Sequence, residues 1–590
     1  MRPIMSWPKA NMREFPAGYN IYPEIVFDAG GEYIKIDGFH SLKHISPITT
    51  GIELSPESIG QLLFHDMQVT FNDKNEYLNI QSMLSGYRPF RNEANLSVEH
   101  YPASNYFLKP SHKFRVGDWV RVSDGTNDDA FRVSSIESDK IYYEAGAVTN
   151  TYTYVAIATE PFINKIVRVY LRYDSDAIGD HGSQLVFVGV TKDRFSWNDG
   201  EATVTIYNLL GDMLNRELTV KTSGTYASLS DGLEITGADG TLSNSFNWST
   251  QTGNGVLADV TIYNDASLGK WEITFSNATN FTVRGPRCED KAGTTAGDFY
   301  DQTNASDSQI KIASGDWSGT PAAGDVLEFY VSVNFEGLTP AECLLALVMD
   351  YAEIDTDYID YSGTLGTDLT YTFDNVYNYQ NLVSYVLTMS FNTPLSIAEA
   401  IVDVMPHYAT FIMQRIDNCK IGLVFFKRYM TEELYTNPAD HMRKFIHNGS
   451  VKLGNKYQIN RFIINYGWDY SKNSCQYSII FPVGTSLHKT DYLYDNKLEY
   501  ITVNIPGIYT EAKAEATGEM YLYMYFWGID EYEYDVGISE LENCFVSKRV
   551  YFPIGVVGYS NDNYFRIYKS TLNLNNVNYI NIKSNRYRDT

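Results

Sequence analysis

The 590-residue sequence lacks the motifs that identify the common enzyme classes. It contains no GxSxG, HExxH, P-loop or GxGxxG pattern. Paired carboxylates leave no such signature, so a glycosidase built on two acids is kept as an alternative. Its candidate acids lie at residues 350–360 and at Asp530 and Glu531, next to Trp527. Solvated structural acids explain these residues better, and we predict a chain that is not an enzyme and has no catalytic residue.

Cysteines are few, and no two form a CxxC pair. They are odd in number and far apart, which disfavours both a zinc cage and a disulfide framework. Reduced thiols, typical of a chain assembled in cytosol, are the better interpretation. The five cysteines are Cys288, Cys343, Cys419, Cys475 and Cys544.

Other metal-ligand patterns are equally weak. Residues 124–129 (DGTNDD) resemble half of a calcium-binding loop but lack the closing glutamate, so a polar turn is favoured. His40, His44 and His65 lack the spacing of metal ligands. The sequence therefore predicts no metal and no cofactor.

Basic residues and long apolar runs are also scarce. The 46 Lys and Arg are outnumbered by 72 Asp and Glu, for a formal net charge of −26. This charge argues against a nucleic-acid partner, because phosphate binding needs clustered Lys and Arg. No run of about 18 apolar residues occurs, so no membrane-spanning helix is predicted. Residues 1–20 lack the apolar core of a signal peptide, and secretion by a cleaved signal is not expected.

The residues that are abundant favour β structure. A chain of this length, with 44% hydrophobic residues, exceeds a single core and predicts three to five domains. Its 47 tyrosines favour pleated, half-buried surfaces. We interpret them as faces of β-sheets; a sugar-binding or subunit-contact surface is the alternative.

Alternation of apolar and polar residues, broken by turn residues, predicts strands along most of the chain. Residues 22–54, 67–71 and 163–208 share one pattern and predict one split domain. The segment between them contains GDWVRV and several short strands, which fits a small SH3-like barrel inserted at 100–160. Residues 222–335 are rich in Gly, Ser, Thr, Asn and Asp, and predict an inserted β-sandwich that could be removed without harm to the scaffold.

Two capping boxes give the strongest helix signals. Thr339-Pro340-Ala341-Glu342 opens one apolar run, and Ser396-Ile397-Ala398-Glu399 opens another. In each box the hydroxyl can accept a hydrogen bond from the amide three residues on, while the glutamate reaches back. Pro340 suits the first helical turn, and Pro406 is expected to end the second helix.

Further elements follow the second helix. A hairpin is predicted at residues 410–416 and 419–426, with its turn at 417–418. A third helix is predicted at 437–445 and a short one at 510–520, whereas the aromatic residues at 521–527 alternate largely as a strand would. The remainder, from residue 451 on, predicts strands.

This order of elements is similar to that of the tail hub, or baseplate hub, proteins of long-tailed bacteriophages and related injection machines. In that family a split β-barrel comes first, an α/β unit follows, and a second barrel ends the chain. The resembling segments are residues 51–54, 70–73, 185–189 and 203–208 for the first barrel, 337–354 (GLTPAECLLALVMDYAEI) and 396–426 (SIAEAIVDVMPHYATFIMQRIDNCKIGLVFF) for the middle module, and 510–552 with 555–582 for the closing barrel.

The resemblance implies a mainly β, multidomain fold. Its parts would be two hub-type β-barrel domains, an α/β middle module, an inserted β-sandwich and a small SH3-like barrel. The two inserted units depart from the minimal hub pattern. The expected domains are 1–99 with 161–221, 100–160, 222–335, 336–446 and 447–590.

The resemblance also implies partners and a location. We expect a homotrimer in the virion, at the tail tip, assembled in the host cytoplasm. It would contact the tail tube and distal tail proteins above and a central fibre or spike below, with DNA passing nearby without specific binding. The implied function is a structural role in host attachment and DNA ejection; the alternatives are a carbohydrate-binding tail fibre or adhesin, or a glycan-cleaving tail enzyme.

Overall fold

The fold is taken from a computed structural model of the chain. Several segments with predictions fall outside the residues it describes: His40, His65, residues 124–127, residues 437–445 and residues 526–530. The described residues are 20–29, 32–37, 42–51, 66–72, 96–97, 99–108, 119–123, 128–137, 139–143, 154–158, 166–175, 180–191, 196–198, 201–221, 227–230, 235–236, 241–242, 246–302, 307–361, 372–416, 418–425, 449–452, 461–470, 472–481, 500–525, 531–538, 541, 544, 549–551, 564–575 and 579–586.

The described residues fall into two compact units. Those within Met1–Ile48, Phe64–Asp212 and Leu572–Tyr579 form the first unit, and the others form the second. Strands in the first half of the chain are β1 (Asn20–Ala29), β2 (Glu32–Asp37), β3 (Leu42–Ile45), β4 (Ile48–Gly51), β5 (Met67–Asn72), β6 (Leu96–Ser97), β7 (Glu99–Tyr101), β8 (Tyr106–Leu108), β9 (Trp119–Ser123), β10 (Asp128–Ile136), β11 (Lys140–Tyr143), β12 (Tyr154–Ala158), β13 (Ile166–Ser175), β14 (Asp180–Thr191), β15 (Ser196–Asn198) and β16 (Glu201–Asn208).

The first unit contains a large sheet with the strand order β2-β1-β13-β14-β16-β5-β3, and β15 pairs with β16. The alternation that predicted these strands is confirmed, because Ile25, Val69, Val169 and Ile206 are all buried. β5 and β16 are neighbours in register although ten strands lie between them in sequence, of which seven, β6 to β12, belong to another sheet.

Those seven strands form a sheet of their own, in the order β6-β12-β9-β10-β11-β8-β7. Its core is aromatic: Phe107 lies 4.9 Å from Tyr143 and 6.3 Å from Phe131 between ring centroids. His100 is buried beside them, and its Nε2 lies 2.7 Å from the Tyr143 hydroxyl.

The described strands do not form the predicted barrels. A barrel closes only when its two edge strands pair, and each sheet of three or more strands among the described residues ends in two strands that do not pair with each other. The small sheet comes nearest to closure, because its edge strands β6 and β7 are consecutive pieces of one chain segment. Alternation in a sequence predicts strands but does not determine which edges meet, and the prediction of three barrels was wrong for this reason.

The second unit is also mainly β. Its described residues include four α-helices: α1 (Pro340–Ala346), which continues as a π-helical turn at Leu347–Tyr351, α2 (Phe373–Leu382), α3 (Ile397–Val404) and α4 (Glu511–Tyr525). Its remaining strands are β17 (Ala227–Ser230), β18 (Ile235–Thr236), β19 (Thr241–Leu242), β20 (Asn247–Thr250), β21 (Val256–Leu257), β22 (Thr261–Ile262), β23 (Gly269–Phe275), β24 (Asn280–Gly285), β25 (Cys288–Thr294), β26 (Phe299–Tyr300), β27 (Ile310–Ile312), β28 (Trp317–Ser318), β29 (Val326–Leu338), β30 (Leu387–Phe391), β31 (Thr410–Gln414), β32 (Ile421–Phe425), β33 (Gly449–Lys452), β34 (Arg461–Asp469), β35 (Ser474–Phe481), β36 (Tyr500–Ile505), β37 (Glu531–Gly537), β38 (Arg549–Tyr551), β39 (Tyr564–Leu572) and β40 (Tyr579–Arg586).

The 13-residue strand β29 is central to this unit. Its first half pairs with β23 on one side and with β20 on the other. Its second half pairs with β17 and, at Val333–Leu338, with β30. The predicted domain boundary at residue 335 therefore falls inside a continuous strand, and the segment before it is not a removable decoration.

Two further sheets lie near the C-terminal end of the sequence. One has the order β33-β37-β40-β39-β38, with β4 on β39; in the other, β34 pairs antiparallel with β35 and parallel with β36. Helix α4 packs on the second sheet, with Tyr521 and Phe462 5.9 Å apart between ring centroids. The strand predicted from residue 521 is corrected: through Tyr525 the chain is helical, and the adjacent Tyr521 and Leu522 are both buried against the sheet.

Candidate functional site: the helix–hairpin module

We use the name helix–hairpin module for the described residues 339–361, 372–416 and 418–425, which hold α1 to α3 and β30 to β32. Both predicted capping boxes are confirmed. The Glu342 amide donates to Thr339 Oγ1 at 3.2 Å, and the Glu399 amide donates to Ser396 Oγ at 3.2 Å. The glutamates accept from the Thr339 and Ser396 amides at 2.8 and 2.7 Å. The two helix starts could thus be predicted from the sequence, because a capping box involves residues only three positions apart.

The hairpin predicted after the second helix is confirmed as well. β31 and β32 pair antiparallel, from Thr410 opposite Phe425 to Gln414 opposite Ile421. Near its turn, Arg415 donates to the carboxylate of Asp360 at 2.6 Å, and Asn418 donates to the same oxygen at 3.1 Å. The Asp360 amide also donates to the Ile421 carbonyl at 2.8 Å. These bonds fix the turn to the segment that follows α1.

Helix α2 was missed by the sequence analysis. Its sequence, FDNVYNYQNL, is rich in polar and aromatic residues and shows no clear apolar stripe. Thr372 caps it by accepting from the Asn375 amide at 3.3 Å. A Thr followed by a short polar helix is a weak signal, and only tertiary packing makes the helix stable here.

Gln380, in α2, ties three elements of the module together. Its Oε1 accepts from the Ala341 amide of α1 at 3.0 Å, and its Nε2 donates to Thr410 Oγ1 of β31 at 2.7 Å. Gln380 and Thr410 are both fully buried. Because buried polar groups are costly unless paired, this pair fixes how α1, α2 and the hairpin pack.

A stack of tyrosines continues the core towards α4. The ring centroids of Tyr385 and Tyr408 lie 4.3 Å apart, and the Tyr385 hydroxyl bonds to Thr517 of α4. Tyr521 of α4 donates to the Pro406 carbonyl at 3.2 Å. Burial raises the pKa of Tyr385 far above its usual range, so the hydroxyl stays protonated and acts as a hydrogen-bonding group.

The candidate acids of the glycosidase alternative have structural positions. Asp355 caps a short turn by accepting from the Asp357 amide at 2.9 Å, and Asp360 is paired with Arg415. Asp350 is exposed, and Glu531 begins β37. Among these described acids, no two carboxylates are held by a common partner.

The other predicted site residues are dispersed. His44 is exposed on β3, and Asp128 begins β10. Cys288, Cys343, Cys419 and Cys544 are buried free thiols, and Cys475 is half-buried. Within the described residues, no group of three or more His, Cys, Asp or Glu side chains could hold a metal ion. Of the helices described, none has the length and apolar character of a membrane span.

The chain was compared with known proteins. No protein-family model matches the sequence, and no curated protein matches it. Among solved structures, the chain is similar to the 43 kDa tail protein of prophage MuSo2 from Shewanella oneidensis, with 7% identity, 96% of this chain and 98% of that one covered, and a TM-score of 0.36.

Two further similar structures are prophage tail protein gp18 from Listeria monocytogenes and a tail protein from Neisseria meningitidis. The first has 8% identity, covers 80% of this chain and 95% of that one, and has a TM-score of 0.28. The second has 8% identity, covers 56% and 96%, and has a TM-score of 0.26. All three similar proteins are described as tail proteins, but every TM-score is below 0.5, so the likeness by itself decides nothing about this chain.

Proposed function

We propose that this chain is a structural protein of a phage tail, and more closely a tail hub or baseplate hub that joins the tail tube to the tip or central fibre. The observation that carries the proposal is the helix–hairpin module. Its capped helix α3 runs directly into the hairpin β31–β32, in the order expected of the hub middle module. In sequence, the module is preceded and followed by strands. The three similar proteins are described as tail proteins, which agrees with this proposal, but the proposal does not rest on them.

The module supports a holding role because its polar groups bind other parts of the same chain. Gln380, Asp360 and the two capping glutamates all bond to backbone or side-chain partners. Such groups fix the geometry of the module, which supports a structural role.

The carbohydrate-binding alternative is less well supported by the described part of residues 222–335. Sugar platforms use exposed aromatic faces, whereas Trp248, Trp271 and Trp317 each pack against phenylalanines of the core. Trp271 is fully buried. The tyrosine-rich composition is better explained by sheet faces and subunit contacts.

In the proposed assembly, three copies form a closed ring on the tail axis. Cyclic symmetry makes each copy present the same surfaces to its neighbours. Tail tube and distal tail proteins would lie on one side of the ring and a fibre or spike on the other. The net charge of −26 would keep DNA from adhering as it passes. The five-domain division is part of this proposal, except for the boundary at residue 335.

Native mass measurement of the full chain tests the proposal. The expected particle has three times the 67.0 kDa of one chain, and electron microscopy should show a ring that binds rings of the tail-tube protein. A single chain at every concentration, with no binding to the tube protein, would contradict the hub. Binding of the full chain to a glycan array, or release of reducing ends from host glycans, would favour the alternatives instead.

A further inference from the structure

His407 is a fully buried histidine for which the tail proposal assigns no role. It lies in the turn His407–Ala409, between α3 and β31. Its Nδ1 is 3.0 Å from the Val404 carbonyl oxygen, and its Nε2 is 3.0 Å from the Gly507 amide nitrogen. A carbonyl can only accept and an amide can only donate. The ring must therefore be neutral, with its proton on Nδ1.

Gly507 lies in the segment Pro506 to Ile508, the first part of the five-residue link between β36 and α4. The Gly507 carbonyl accepts from the Thr388 amide of β30 at 2.9 Å. The carbonyls of Ile508 and Pro506 accept from the Gly467 and Trp468 amides of β34 at 2.6 and 3.3 Å. The segment thus joins the helix–hairpin module to the three-stranded sheet.

The approach of this segment to the module leaves no room for a side chain. A Cβ on Gly507 would lie 2.5 Å from Met389 Cγ, 3.2 Å from Leu387 Cβ and 3.2 Å from His407 Nε2. The close contact lets the Gly507 amide reach the imidazole. Sequence analysis missed both residues because they are 100 positions apart and neither belongs to a motif.

The turn that holds the imidazole is itself strained. Tyr408 and Ala409 have φ angles of 55° and 49°, in the left-handed region that non-glycine residues seldom occupy. This conformation is costly for such residues and persists only while the surroundings hold it. Here the surroundings are the Tyr385–Tyr408 stack and the two bonds of His407.

We propose that His407 is an acid-sensitive latch: protonation of Nε2 sets an N–H against the Gly507 N–H, and the segment Pro506 to Ile508 separates locally from the turn. The module and the three-stranded sheet lose one of their connections, while the remainder of each stays folded. The latch goes beyond the proposed tail role and does not depend on it.

The direction of the pH effect follows from the environment of the ring. Burial lowers the pKa of His407 from 6.5 to about 4. The stabilising contribution of the neutral ring is complete above pH 6.5 and is lost as the pH falls towards 4. Both polar partners of the ring are backbone groups. The titratable side chains on the elements around the turn include Glu399 and Asp403 of α3, Glu511, Lys513, Glu515, Glu519 and Tyr521 of α4, and Tyr385 and Tyr408 of the stack.

Hydrogen–deuterium exchange of the full chain at pH 8, 6.5 and 5, corrected for intrinsic rates, tests the latch. Local opening of peptides that contain Gly507 and Thr388 should increase about 30-fold from pH 8 to pH 5, as a pKa change from 6.5 to about 4 requires. In His407→Gln this increase should vanish, because glutamine offers one acceptor and one donor but does not titrate. His100→Gln, a change at another histidine that is buried among the described residues, should leave the Gly507 response intact.

A measurement on the unaltered protein keeps the test decisive if the variant fails to fold. Exchange of the C2 hydrogen of each histidine reports its pKa in the folded chain. His407 should show a midpoint well below 6.5. A midpoint near 6.5, or a Gly507 response that survives in folded His407→Gln, would overturn the latch.

Discussion

The sheet around β23 to β25 and the helix–hairpin module are linked by β29, which pairs with β23 and with β30 of the module, yet the two regions are stabilised by different chemistry. In the sheet, Trp271, Phe275, Phe281 and Phe329 are almost fully buried and pack on one another. In the module, buried polar side chains such as Gln380 and His407 bond across elements. Apolar area stabilises the first region, and paired polar groups determine the packing of the second.

Polar groups are present in the sheet region too, but they fasten loops. The Asp325 carboxylate accepts from the amides of Ala322, Thr252 and Gly253 at 2.7, 2.6 and 3.1 Å, and from the Thr252 hydroxyl. The bond from Ala322 and the bonds from Thr252 and Gly253 lower the pKa of Asp325 to about 2. Asp325 and Gln380 are both fully buried, but the bonds of Asp325 join two loops beside the sheet, whereas those of Gln380 join helices and a strand.

The largest effect is expected from Trp271→Ala. Removal of this buried ring leaves a cavity below Gly285, which lies directly against the indole. The loss should be about 3–5 kcal/mol in the free energy of local opening. Native-state hydrogen exchange of β23 and β24 measures it.

Val256→Ala, at a site 52% exposed, serves as the control and should change the same quantity by less than about 0.5 kcal/mol. Because β29 pairs with both β23 and β30, some loosening of β30 is expected. Equal loosening of α2 and the hairpin would break the comparison, since it would mean that one core serves both regions.

An intermediate effect is expected from Gln380→Ala in the module. The change leaves the Ala341 amide and the Thr410 hydroxyl buried without these partners, at a cost of about 2–3 kcal/mol. Hydrogen exchange of α1 and β31 should show the loss. The neighbouring Asn381→Ala is a matched control, because Asn381 is exposed on the same helix.

A second variant sharpens this result. Thr410→Val alone removes the hydroxyl, and in combination with Gln380→Ala it should cost less than the sum of the two single changes. Additive losses would mean that the two side chains act independently, and the module would then resemble the sheet region.

The two regions also differ in how far sequence reasoning could predict them. Strands in the first sheet and the caps of α1 and α3 follow from alternation and from residues three apart, so they were predicted. Gln380, His407 and Gly507 act through partners 30 to 100 residues away, and no local pattern marks them. The barrels were predicted wrongly for a related reason, since closure depends on edges that are distant in sequence.

The smallest effects are expected at the two capping boxes, where the same local device has different surroundings. Ser396→Ala, at a half-buried cap, should cost α3 about 1 kcal/mol. Thr339→Ala should cost α1 about 2 kcal/mol, because Thr339 is fully buried and water cannot replace the lost bond to the Glu342 amide.

Ser396→Asp and Thr339→Ser keep an acceptor at each cap and should retain most of the stability. Exchange of the first-turn amides of each helix measures the difference. Equal losses at both caps would show that burial adds nothing to a local bond, and the contrast between the two regions would then rest on Gln380 and His407 alone.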